Sequence, residues 1–60
     1  MRKRLLDAVR DSFEPGVPYP EAKANAICGE WFDDWVTLRR ALVDAGMLRR
    51  NESGASYERV

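Results

Sequence analysis

Arg39 and Arg40 stand in tandem, Arg49 and Arg50 repeat the doublet further on, and Arg59 follows close to the end. A guanidinium offers a planar fork of donors that matches phosphate oxygens, or the O6 and N7 acceptors of guanine, through two parallel hydrogen bonds. Thr37, Arg40, Arg49, Arg50 and Arg59 are therefore the candidate contacts to double-stranded DNA. Each also has a plainer reading. Arg40 can pair with Asp44 one helical turn on, Arg39 can lay its stem along Trp35 and Leu42, and the later arginines can be solvated charges near Glu52 and Glu58. Asp33, Asp34 and Asp44 outweigh Arg39 and Arg40, so residues 33–44 are net negative, which opposes a phosphate backbone and makes any affinity weak. Arg2, Lys3 and Arg4 form the densest basic run, readable as a phosphate-touching arm or as a solvated terminus.

A second kind of chemistry belongs to the aromatics. Trp31, Phe32 and Trp35 crowd one short stretch, and so small a core has little room for all three. Trp31, Trp35, Val36 and Val43 are thus candidate contacts to a protein partner, since aromatic anchors dominate interface hot spots. The alternative is that the aromatics pack inward against Val9, Phe13 and Leu38. Catalysis has no constellation to support it. The chain holds no histidine and one cysteine, Cys28, which reads as a small buried apolar residue. The same deficit excludes an internal disulfide and the usual Cys/His zinc sites, and no cofactor is expected. Asp33-Asp34 reads as helix capping rather than a carboxylate pair, and Asn25 as a hydrogen-bond partner of nearby loop backbone rather than a ligand contact.

These side chains need a scaffold, and 60 residues allow one domain, taken as residues 1–60, with a small core. The candidate core is Leu5, Leu6, Val9, Phe13, Tyr19, Ile27, Trp31, Phe32, Trp35, Leu38, Leu42, Leu48 and Tyr57. Ten basic and ten acidic residues cancel, so no overall field draws the chain to nucleic acid or lipid. Asp7, Arg10 and Asp11 interrupt the apolar run that a signal peptide needs, and no stretch suits a membrane span. A soluble, cytoplasmic protein without membrane contact is expected.

Leu5, Leu6, Val9 and Phe13 recur at helical spacing over residues 2–13, with Lys3–Asp7 and Arg10–Glu14 as i, i+4 pairs on the other side. Prolines at 15, 18 and 20 then force an extended passage through Val17 to Tyr19. Pro20 suits the first position of a second helix running to about Glu30, with Ala24, Ile27, Cys28 and Trp31 inward and Gly29 as a weak point. Trp31 to Asp34 forms the turn, Asp33 or Asp34 caps a third helix, and Trp35, Leu38, Leu42 and Ala45 line its apolar stripe up to Gly46. Beyond Gly46 the period shortens towards two. Met47 to Arg50, turn residues 51–54, and Ala55 to Arg59 with Tyr57 read as a hairpin. The expected class is mainly α with a small β-hairpin, a winged helix-turn-helix of three helices plus a C-terminal wing.

Tyr19-Pro20-Glu21 through Asn25, Asp34, the block Leu38 to Arg50 and Tyr57 together resemble a bacterial domain family of unknown function. Its members are short winged-helix-like modules, alone or appended to helix-turn-helix or acetyltransferase domains, and labelled predicted transcriptional regulators. The resemblance runs over residues 13–57 and is strongest from Leu38 to Arg50; Lys23, Ala24 and Cys28 depart from the family's pattern. It implies the winged-helix fold and a role in regulation. Two function classes follow: a DNA-binding module, compatible with a homodimer, or a protein-interaction module acting as adaptor or inhibitor of a larger complex.

Overall fold

The computed structural model describes residues 2–51 and 56–60. Among them the elements run α1 (Lys3–Asp11), β1 (Tyr19–Pro20), α2 (Glu21–Trp31), α3 (Trp35–Asp44), β2 (Leu48–Arg50) and β3 (Ser56–Arg59). The protein is mainly α, with three helices and a small antiparallel sheet of strand order β1-β3-β2. Leu48 faces Arg59 and Arg50 faces Tyr57 across β2 and β3, while Tyr19 faces Tyr57 across β1 and β3. The expected hairpin turn at 52–54, and Ala55 at the start of the expected return strand, lie outside the described residues.

α1 is shorter than its apolar spacing suggests. It ends at Asp11 instead of running to Phe13, because the last turn tightens, Ser12 N donating to Val9 O and Phe13 N to Arg10 O. Pro15 lies ahead and pushes Glu14 out of the helical region. Glu14-Pro15-Gly16-Val17 then reverses the chain, with Gly16 at φ +76° and Val17 N donating to Glu14 O, the pattern of a type II turn. With Glu14 off the helix, the expected Arg10–Glu14 pair is replaced by Arg10 with Asp7 at 3.8 Å and Asp11 at 3.5 Å. Among the described residues Lys3 does not pair with Asp7.

Pro20 is the last residue of β1 rather than the first of α2. Its ψ of 150° continues the extended path of Tyr19 beside β3, so the helix opens at Glu21. β1 itself was expected only as an extended passage, since two residues, one of them proline, carry no strand periodicity. α3 starts where the sequence placed it. Asp34 Oδ1 accepts from Thr37 N at 3.3 Å and Oδ2 from Thr37 Oγ1 at 2.7 Å. It stops at Gly46, φ +75°, where Gly46 N donates to Val43 O and Met47 N to Leu42 O, a Schellman closure.

The core gathers Leu6, Val9, Phe13, Tyr19, Ala24, Cys28, Leu38, Leu42, Leu48 and Tyr57, with Leu5 and Ile27 packed on it part-buried. Phe13 and Tyr19 meet edge to face at 5.0 Å, and Tyr19 Oη accepts from Glu14 N. Trp31, Phe32 and Trp35 are not in it: they remain 44%, 42% and 36% exposed, correcting the inward reading. The reason is geometric. Ala24 and Cys28 set the buried stripe of α2, Trp31 lies at its end with Nε1 donating to Ser12 Oγ, and Phe32 swings into extended backbone, φ −158°.

Gly29 lies inside α2, and a Cβ built there would meet Trp35 Cδ1 at 3.7 Å, an ordinary contact. Gly29→Ala should therefore raise stability by up to about 1 kcal/mol through helix propensity; urea denaturation of the two proteins checks this, and a loss of stability would contradict it.

Candidate functional site

α3 and the β2–β3 hairpin enclose an open groove of about 370 Å³. Val36, Arg40, Val43 and Asp44 line it from α3, Arg50 from β2 and Tyr57 from β3, with Arg39 at its base. Helical spacing puts Val36, Arg40 and Val43 on one face of α3 and leads on to Asp44. On the sheet, Arg50 and Tyr57 are direct cross-strand partners and so share a face.

The candidate residues are sorted by this geometry. Arg40 and Arg50 come together at the groove from different elements, and neither has an ion-pair partner among the described residues. Val36 and Val43, singled out as protein contacts, are the apolar walls of the same groove. The remaining candidates lie elsewhere. Arg49 alternates to the opposite face of the hairpin, where its guanidinium meets Glu58 at 3.4 Å. Arg59 turns back to α1, donating to Phe13 O at 3.3 Å and pairing with Asp11 at 3.6 Å. Thr37 is engaged with its cap, Asp34. Trp31 sits beside Ser12, and Trp35 lies under a guanidinium. The expected Arg40–Asp44 pair does not form within 4 Å, which leaves both groups facing the groove.

Arg39 is the residue whose role the sequence understated. Its side chain is 13% exposed, and its Nη1 donates to Asn25 Oδ1 and pairs with Glu21 Oε1 at 3.4 Å. The guanidinium carbon lies 5.7 Å from the Trp35 ring centre and 5.2 Å from that of Tyr57, both within cation–π range. Asn25 thus receives a donor from α3 rather than binding loop backbone, because α3 packs against α2 and brings the Arg39 guanidinium to its side-chain oxygen. The available signal was that Glu21 and Asn25 stand at i, i+4 on α2, two acceptors on one helix face. Because Glu21 answers the charge of Arg39, the groove's uncompensated cations among the described residues are Arg40 and Arg50, and the one carboxylate among those residues lining it is that of Asp44.

Other chemistry is sparse. Burial raises the Cys28 thiol above its ordinary pKa, with the positive charge of Arg39 opposing the shift, so the thiol is a poor nucleophile at neutral pH. Among the described residues no group of three or more His, Cys, Asp or Glu side chains could hold a metal ion, and no helix is long and apolar enough to cross a membrane.

Arg39→Lys keeps the charge but loses the planar fork and the stacking, and should cost about 1–2 kcal/mol. A denaturation cycle of Arg39→Lys, Asn25→Ala and the double variant should show coupling above about 0.5 kcal/mol; strict additivity would show that the two side chains do not act as a unit.

No curated protein and no solved structure matches the chain. A family match, however, runs over residues 1–59, wider than the 13–57 that the sequence motifs suggest. The chain belongs to the bacterial family described as "Uncharacterized protein conserved in bacteria (DUF2087)".

Proposed function

We propose that this chain is a winged helix-turn-helix module that binds double-stranded DNA weakly in the cytoplasm, as part of transcriptional regulation. The order helix, strand, two helices, hairpin, with β1 on the far side of β3, supports the winged-helix reading. One observation carries the function: Arg40 from α3 and Arg50 from the hairpin converge on one open groove without a counter-charge pairing either among the described residues. In this arrangement α3 approaches the major groove, and Arg50 holds the flanking backbone as the wing does in such modules. The zero net charge leaves long-range attraction small, so affinity rests on these few contacts and gains from pairing of two copies.

Anisotropy of labelled random duplex, titrated at about 50 and 200 mM salt, should show binding that weakens with salt; Arg50→Ala should lower the salt slope by about 0.9, and Arg40→Ala should weaken binding with a smaller change of slope. Salt-independent binding, or no binding to any duplex, would overturn this reading.

A second reading, a protein-interaction module, is favoured by the exposed run of Trp31, Phe32 and Trp35. On that reading Trp31→Ala and Phe32→Ala weaken capture of a partner by about 2 kcal/mol or more, while Arg40→Ala leaves it intact. Unchanged capture by both aromatic variants would remove it.

A further inference from the structure

Asp44 is out of place in a groove that serves only to hold phosphate. It lines the groove one turn beyond Arg40, is exposed, and has no ion-pair partner among the described residues. A carboxylate there repels backbone phosphates, and any neutral side chain would bind DNA more tightly. A carboxylate is nevertheless a good acceptor, and the major groove offers amino donors on cytosine N4 and adenine N6. The two bases differ in what lies beside the donor. Adenine places its N7 acceptor next to N6, so a carboxylate reaching for adenine meets a second acceptor. Cytosine presents its amino group without one. Arg40 has the complementary preference, because its two parallel donors match guanine O6 and N7.

Residues four apart on a helix hold their Cβ atoms about 5–6 Å apart, within the span of one base pair or of two neighbouring ones. Resting on the DNA reading above, we infer that Arg40 and Asp44 act as a sequence-reading pair, Arg40 on guanine and Asp44 on cytosine. Asp44 is then a specificity residue: it lowers affinity for DNA in general and restores it where cytosine faces α3. Arg50 supplies backbone contact without regard to sequence.

The test is anisotropy of the full chain at low salt with three labelled duplexes of equal length. One is G·C-rich, one is A·T-rich, and one repeats the G·C-rich sequence with inosine for guanine, which keeps the major-groove pattern and gives the minor groove of A·T. The expected result is about tenfold preference for the guanine and inosine duplexes over A·T-rich DNA. Asp44→Ala should shrink this preference to the part that Arg40 confers and bind the A·T-rich duplex more tightly than the unmodified protein does. Asp44→Asn should move the preference towards A·T, because an amide pairs with adenine N6 and N7. Position 44 is exposed, and thermal melts of both variants confirm folding. Equal binding of all three duplexes by the unmodified protein, or a preference that both variants retain undiminished, overturns the inference and leaves the DNA reading standing. No binding to any duplex overturns the DNA reading and the inference with it.

Discussion

Everything near the groove depends on the placement of one guanidinium. Arg39 reaches from α3 across to Glu21 and Asn25 on α2 and lies against the rings of Trp35 and Tyr57. It therefore joins two helices and the central strand of the sheet at a single point. A side chain this enclosed must have its donors answered, since an unpaired charge in such surroundings costs several kcal/mol. Glu21 and Asn25 supply the answer, and in doing so they fix how α2 lies against α3. The apolar core below, centred on Phe13, Leu38 and Leu42, provides the burial energy; Arg39 adds a polar tie between α2 and α3.

This division of labour explains what could be read from the sequence. Both ends of α3 are encoded locally: Asp34 three residues before Thr37 at the start, Gly46 with its left-handed φ at the finish. The hairpin strands and the buried positions Leu6, Val9, Leu38, Leu42, Leu48 and Tyr57 follow from spacing alone. The Arg39 network does not, because its partners lie 14 to 18 positions away and their meeting depends on packing. The same holds for β1, which exists only because β3 passes beside it. The aromatic triplet misled for a physical reason. Large apolar residues usually go inside, but Ala24 and Cys28, two small residues, had already set the buried face of α2.

The arginine doublets illustrate how secondary structure divides identical neighbours. On α3 the doublet splits by helical rotation, Arg39 being enclosed and Arg40 exposed at the groove. On β2 it splits by strand alternation, Arg50 beside Tyr57 and Arg49 beside Glu58 on the far face. In each doublet one arginine has its charge answered by a glutamate, Glu21 or Glu58, and the other has none among the described residues. The sequence places four cations at two sites; the fold delivers two of them, unpaired among the described residues, to one groove.

The Schellman closure at the end of α3 has a bearing on how the groove selects what enters it. Gly46 reverses the chain within one residue, and the carbonyls of Leu42 and Val43 are both taken up by the reversal, so no slack separates α3 from β2. The spacing between the backbone positions of Arg40 on the helix and Arg50 on the strand is thereby held short by the turn. A partner with matching spacing orders only the two arginine side chains and not the backbone that carries them, while one with a different spacing cannot draw the two walls together to suit itself. On the proposed reading the domain measures distance as well as charge, and the ruler is a glycine.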